Sequence, residues 1–400
     1  MADYIAFDNA QALSYIEQLG EFFEPNAQLT CNEFGDGNLN LVFRIADQNG
    51  NSIILKQALP YARCVGESWP LTIDRARIEA SVLKKHGLAC EQHIAKVLHT
   101  NDDLAVTVLE DLGHMAILRS ELNLAKTYPK LGADVATYLA TSSFYYSDFY
   151  LKPAEKKALV QEFINPELCS ITEDLFFDDP YRACERNNYP PELETDVLRL
   201  QQSTQLLRQV AQLKHLFFSA PQSLLHGDVH TGSIFADQSD TKLIDPEFGF
   251  FGPIGFDLGS FIGNLLLNYC AQNGRIKETP KRRQMQSYLL TQIQQCFNDF
   301  ESIWLTLAAQ HTRDLALQAP GYAQQFVEQI IQDALGYAGT ELIRRTIGLA
   351  HVVDIDGIKD ERARLQVQKQ TLLLGEQLIL HAEECENKES AYQLIVSLIQ

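Results

Sequence analysis

Apolar and polar positions in the first hundred or so residues alternate with the period of two that a half-buried strand requires. Residues 30–34 and 39–45 flank Gly35-Asp36-Gly37-Asn38, and residues 52–57 follow a second turn at Gln48-Asn49-Gly50-Asn51. Two tight turns between alternating segments predict a three-stranded antiparallel meander. A helix is expected over 73–86, then a buried strand over 104–109 that runs into Glu110-Asp111-Leu112-Gly113. Beyond Gly113 the apolar period becomes helical, with helices predicted around 128–143, 196–218, 259–270, 282–309, 322–349 and 362–382. The chain therefore reads as α+β, with a small N-terminal antiparallel-sheet lobe over 1–111 and a larger, mainly helical C-terminal lobe over 112–400. The polar tetrapeptide at 110–113 makes a natural hinge between them.

Chemistry concentrates between Leu224 and Asp257. This stretch contains His226-Gly227-Asp228-Val229-His230-Thr231-Gly232-Ser233 and then Leu243-Ile244-Asp245-Pro246-Glu247. An Asp in a short polar loop, an apolar strand, a turn and a second strand ending in Asp-x-Glu put carboxylates at neighbouring strand ends. A hydroxyl is a poor nucleophile, so phosphoryl transfer needs a carboxylate to orient it and accept its proton, the role expected of Asp228. Hard Mg²⁺ favours one or two carboxylates beside phosphate oxygens, which Asp245 and Glu247 can supply. On a strand these two residues face one side. Two plainer readings compete. Asp228 and Asp245 are each compatible with ordinary turns, and His226, Asp228 and His230 alternate at a spacing that suits metal ligands.

The N-terminal half offers a nucleotide site to match. A glycine turn lets backbone N–H groups approach phosphate, and Asn38 or Asn40 could add a side-chain donor. Lys56 interrupts the apolar run Ile53-Ile54-Leu55, where an ammonium is costly unless paired; Glu79 on the next helix is its expected partner. The alternative has Lys56 snorkelling from an edge strand and Glu79 on a solvated face.

The order of glycine turn, strand lysine, helix glutamate, hinge, His-Gly-Asp loop and Asp-x-Glu resembles the protein-kinase-like fold of the aminoglycoside and choline kinase group. Within that group the chain is most similar to the methylthioribose kinase family, over most of its length. The residues that carry the likeness are 35–43, Lys56-Gln57-Ala58-Leu59-Pro60-Tyr61, Gly66-Glu67-Ser68-Trp69-Pro70-Leu71-Thr72, 226–235, Glu247-Phe248-Gly249-Phe250-Phe251-Gly252-Pro253 and Glu341-Leu342-Ile343-Arg344-Arg345. The resemblance implies an ATP-dependent kinase of the 1-hydroxyl of 5-methylthioribose, serving methionine salvage. It assigns Asp228 as base, Asp245 and Glu247 as magnesium and nucleotide-phosphate ligands with Pro246 between them, Lys56 as phosphate contact and Asn40 as an ATP contact. It further implies that Glu110, Asp111 and Leu112 present backbone groups to adenine, that Arg344 and Arg345 hold the sugar, and that the loop bearing Trp69 lies over the site. A homodimer is also implied. Many members of the wider group have Asn five residues after the loop Asp as a second metal ligand; here it is Ser233, as in the methylthioribose kinases. There is no Asp-Phe-Gly and no Ala-Pro-Glu segment of the protein-kinase type. The alternatives are a kinase of another small alcohol, such as an aminoglycoside, choline or homoserine, and a nucleotide-binding pseudokinase.

Adjacent arginines on a helix point about 100° apart, so one of the Arg344-Arg345 pair normally meets solvent. Their apolar neighbours Leu342, Ile343 and Ile347 predict a buried helix instead. Trp69 is equally compatible with plain core. A formal charge of −19 with no basic stretch argues against nucleic acid as a partner. The eight cysteines are scattered without Cys-x-x-Cys, as suits a reducing cytoplasm. The N-terminus lacks the basic and apolar regions of a signal peptide, and the longest apolar run, 261–271, is too short to span a bilayer.

Overall fold

The computed structural model describes residues 4–34, 39–61 and 69–399. Its N-terminal part is an antiparallel sheet of β1 (Thr30–Glu33), β2 (Asn40–Ala46), β3 (Ser52–Ala58), β4 (Val97–Asn101) and β5 (Val106–Glu110), in the order β1-β2-β3-β5-β4. The expected meander is β1 to β3. Strand β3 lies in the middle, with Lys56 opposite Val42 on one side and Thr107 on the other, so Lys56 cannot snorkel from an edge. Alternation sends Phe43, Ile45, Ile53, Leu55 and Val108 to the face covered by helix α1 (Asn9–Leu19), where Ala12 and Ile16 meet them. Each large aliphatic or aromatic side chain buried there contributes roughly 1.5–3 kcal/mol. Lys56 faces the other way, onto helix α2 (Arg75–Cys90).

Past Glu110 the chain is mainly helical. The principal helices are α3 (Leu131–Tyr145), α4 (Ile254–Arg275), α5 (Thr279–His311), α6 (Tyr322–Ile347) and α7 (Glu361–His381). Helix α4 is buried over most of its length and packs against α6. Close approach is built in at Gly259, where a Cβ would stand 2.5 Å from the carbonyl oxygen of Ala334. The expected single helix over 196–218 is instead two, Glu194–Gln202 and Thr204–Ser219. Ser203 breaks it, because its hydroxyl accepts the N–H of Leu206 and caps the second helix. Helix α1 and strand β4 were not legible in the apolar pattern.

Two short ribbons among the helices carry the site. One joins β6 (Ala116–Ile117), β8 (Ile234–Ala236) and β9 (Thr241–Leu243); the other pairs β7 (Ser223–Leu224) with β10 (Phe251–Gly252). Strand β9 is fastened to the N-terminal part, since Leu243 bridges Ile94 and its carbonyl accepts the N–H of Ala95 at 3.0 Å. The architecture is the α+β, bilobal, kinase-like one that the sequence predicts. Among the described residues no helix is long and apolar enough to cross a membrane, and the described cysteines are free.

Candidate active site

The loop after β7 is held from beneath by one carboxylate. Asp257, buried in the first turn of α4, accepts the N–H of His226 at 2.7 Å and of Gly227 at 2.9 Å. Burial pushes its pKa up to about 7 despite those two donors. His226 Nδ1 accepts the N–H of Asp228 at 3.3 Å, which leaves Nε2 to donate to the Ile244 carbonyl at 2.9 Å. The ring thereby ties the Asp228 loop to the segment carrying Asp245.

Asp228 itself is 26% exposed, so a substrate can reach it. His230 Nδ1 accepts the N–H of Ser233 at 3.0 Å, which places the ring proton on Nε2, 3.4 Å from Asp228 Oδ2. Arg344 Nη2 and Arg345 Nη2 each lie 3.9 Å from Asp228 Oδ1. Burial opposes ionisation of Asp228, but His230, Arg345 and Arg344 outweigh it and hold the carboxyl well below the usual range.

Both arginines turn inward because Glu341 stands one turn back on α6. Its fully buried carboxylate accepts Arg344 Nε on Oε2, and on Oε1 both Arg345 Nε and Asn264 Nδ2, each at 2.9 Å. Arg344 also stacks 3.7 Å over the ring of Phe176. Arg119 joins from below, donating to Thr231 Oγ1 and Asn264 Oδ1. No residue pattern announced Arg119, Phe176 or Asp257 as members of the site; a lone Asp in an apolar helix start was the one available signal.

Across the cleft, Lys56 Nζ donates to Glu79 Oε1 at 2.9 Å and pairs with Asp245 Oδ1. Burial of the ammonium is outweighed by Asp245, Glu79 and Glu247, which keep it charged. One expectation needs correcting. Asp245 and Glu247 do not share a strand face, because β9 ends at Leu243 and Asp245 has φ 71°, left-handed and costly for a non-glycine residue. Asp245 points to Lys56 and stays 37% exposed, whereas Glu247 is only 3% exposed, its Oε2 accepting Asn40 Nδ2 and Arg75 Nε, each at 3.1 Å. Pro246 is buried between them, and its carbonyl accepts the N–H of Gly249. Asp245 and Glu247 still offer carboxylate oxygens beside the same ammonium, the donor type that Mg²⁺ takes.

The hinge carboxylates are struts. Glu110 Oε1 accepts Lys242 Nζ and the N–H of Lys96; Asp111 accepts Arg44, Ser52 and the N–H of Gly113. Their side chains are thus committed to these partners, and Leu112 is buried with Ala95 and Met115. Trp69 packs with Leu71, Leu168, Ile171 and Phe248, beside Glu247. Asn38 lies outside the described residues.

The metal-hydrolase reading of His226, Asp228 and His230 finds no support. His226 is committed to Ile244, and among the described residues the one metal-like cluster is His93, Asp134 and Asp240, away from the loop. Ser233 is buried with its hydroxyl on His230 Nδ1 at 3.1 Å.

A bilobal fold with a loop aspartate tied through one histidine to a lysine-bound Asp-x-Glu defines a small-molecule phosphotransferase, and residues 30–286 match the model of the phosphotransferase enzyme family, APH. The chain is 50% identical to a methylthioribose kinase of Enterobacter sp. (strain 638) over 393 residues, 98% of each protein. It is also 50% identical to a methylthioribose kinase of Cronobacter sakazakii over 392 residues, 97% of this chain and 98% of the relative. Among solved structures, a choline kinase from Cryptosporidium parvum Iowa II aligns over 98% of this chain and 95% of its own at 12% identity, with a TM-score of 0.46. On the whole-length identities, the chain belongs to the methylthioribose kinase family within these phosphotransferases.

Proposed function

We propose that this protein transfers the γ-phosphate of ATP to the 1-hydroxyl of 5-methylthioribose, giving 5-methylthioribose 1-phosphate and ADP, a step of methionine salvage. The observation that carries the substrate is half identity along the whole chain to proteins named methylthioribose kinase. The observation that carries the reaction class is Asp228, approached by two inward arginines and tied through His226 to the segment whose Asp245 pairs with Lys56.

In this reading Asp228 orients the hydroxyl and takes its proton as the bond to phosphorus forms. Its low proton affinity makes it an orienting group first and a proton acceptor late, which suits a loose transition state with little nucleophile bonding. His230 Nε2 lies against one Asp228 oxygen and the two arginines near the other, which keeps the carboxylate ionised and oriented for the substrate. Arg344 and Arg345, held in place by Glu341, bind the sugar hydroxyls beside Asp228. Lys56, kept charged by Glu79, contacts phosphate, and Asn40 contacts ATP. Backbone groups of Glu110, Asp111 and Leu112 read adenine, which is consistent with side chains tied back as struts. Trp69 lies at the substrate side. Asp245 and Glu247 would hold Mg²⁺, which when bound neutralises charge on the transferring phosphate oxygens.

The same reading divides the chain into a nucleotide lobe, 1–111, and a substrate lobe, 112–400, and places the protein in the cytoplasm as a homodimer without nucleic-acid partners. For the dimer, light scattering is expected to give twice the 45.1 kDa chain mass. The decisive assay is ADP release with Mg²⁺-ATP against methylthioribose, ribose, homoserine, choline and an aminoglycoside. Turnover with methylthioribose alone is expected. Turnover only with another alcohol keeps the kinase and replaces the substrate; ATP binding with no turnover favours the pseudokinase.

A further inference from the structure

Arg75 is the first residue of α2, where a cation meets the positive end of the helix dipole. Helix stability therefore does not account for it. Its side chain is fully buried. A guanidinium carries five N–H donors in a planar fork, and here each has an acceptor. Nε donates to Glu247 Oε2 at 3.1 Å; Nη1 donates to the carbonyls of Leu59 and Thr72 at 2.6 and 2.7 Å; Nη2 donates to the Leu39 carbonyl and Asn40 Oδ1, both at 3.0 Å. Asn40 closes the ring by donating from Nδ2 to the same Glu247 oxygen at 3.1 Å.

These acceptors lie on four separate stretches: the start of β2, the backbone just past β3, the approach to α2, and the Asp-x-Glu of the other lobe. A buried ion pair is retained only when its geometry is good and its remaining donors are satisfied, and here both conditions hold. We propose that Arg75 is a positioning residue that fixes the Glu247 carboxylate for Mg²⁺-ATP and couples it to the backbone at Leu39, Leu59 and Thr72. The inference rests on the reading of Glu247 as a ligand of the magnesium nucleotide. A lysine keeps the charge but has three donors and no fork, so Arg75→Lys separates charge from geometry.

The test is calorimetric affinity for AMP-PNP with and without Mg²⁺ in the wild type, Arg75→Lys, Glu247→Gln and the double variant. Losing one charge-assisted hydrogen bond corresponds to roughly tenfold or more, so each single variant should cut the magnesium-dependent gain about that much. The double variant should lose no more than the worse single one, because coupled residues are non-additive. Independent, additive losses overturn the proposal. A full magnesium-dependent gain in Glu247→Gln removes the reading of Glu247 and this inference with it; loss in Glu247→Gln with full gain in Arg75→Lys overturns this inference alone. Should Arg75→Lys not fold, hydrogen exchange in Glu247→Gln decides. Faster exchange at residues 39–41 and 71–75 supports the coupling, and change confined to 245–249 refutes it.

Discussion

Gly227 lies directly beneath the carbonyl of Phe248: a Cβ on Gly227 would stand 2.2 Å from that oxygen. Gly227 also has φ 84°, which L side chains rarely adopt. The loop carrying Asp228 and the segment carrying Glu247 are thereby pressed together, backbone to backbone. Gly227→Ala must both strain its own dihedral and push the loops apart, so a loss on the order of 2–4 kcal/mol is expected, with activity falling alongside. Denaturant unfolding and ADP release check it together, and a wild-type result in both would show that this contact is slack.

Asp228→Asn should keep the shape of the loop and remove the proton acceptor. Turnover should fall by at least the ~10²-fold typical of a general base while AMP-PNP affinity stays near that of the wild type. Single-turnover kinetics separates the two effects. Turnover near normal would strip Asp228 of its role.

Arg344→Ala should raise KM for the sugar far more than KM for ATP, since Arg344 lies 3.9 Å from Asp228 whereas Lys56 pairs with Asp245. It also leaves the fully buried Glu341 with one guanidinium partner instead of two. Breaking such a buried pair typically costs about 3–5 kcal/mol, so the melting temperature should drop as well. The reverse KM pattern would move Arg344 to the nucleotide side.

Asp245→Asn should weaken the response to Mg²⁺, and chelation should stop ADP release in the unaltered protein. The variant also frees Lys56 from one of its carboxylates, leaving Glu79. An unaltered magnesium titration curve would make Asp245 a purely structural residue whose left-handed φ serves the turn.

The pH dependence has two opposing parts. Burial pushes His86 down to about 3 and His226 down to about 4, against about 6.5 in an unfolded chain. Between those values the unfolded state binds more protons, so their contribution is complete above pH ~6.5 and is lost on acidification, at about 1.4 kcal/mol per pH unit for each. Asp257 acts in the other direction, because burial raises it to about 7 and the native state then holds the extra proton. The histidine part is isolated by difference: the wild type should lose more stability than His86→Gln between pH 6.5 and 4.5. Parallel profiles in urea would mean that His86 is not held neutral.

Much of this protein was legible in the sequence because the responsible physics is local. Period-two alternation and two Gly-Asn turns determined the meander, and the 3.6-residue period determined the long helices. An ammonium inside an apolar strand demanded a partner, and Lys56 found Glu79. The order of Asp228, Asp245 and Glu247 determined the chemistry that the loops could hold. Tertiary structure decided the rest, because it depends on packing between segments far apart in the chain. Arg344 and Arg345 both turn inward only because Glu341 is buried between them. Asp245 falls outside the strand, which ends at Leu243, and its left-handed backbone breaks the face that it was expected to share with Glu247. The node at Arg75 joins residues 36 and 172 positions away, at Leu39 and Glu247, and no sequence period reaches that far.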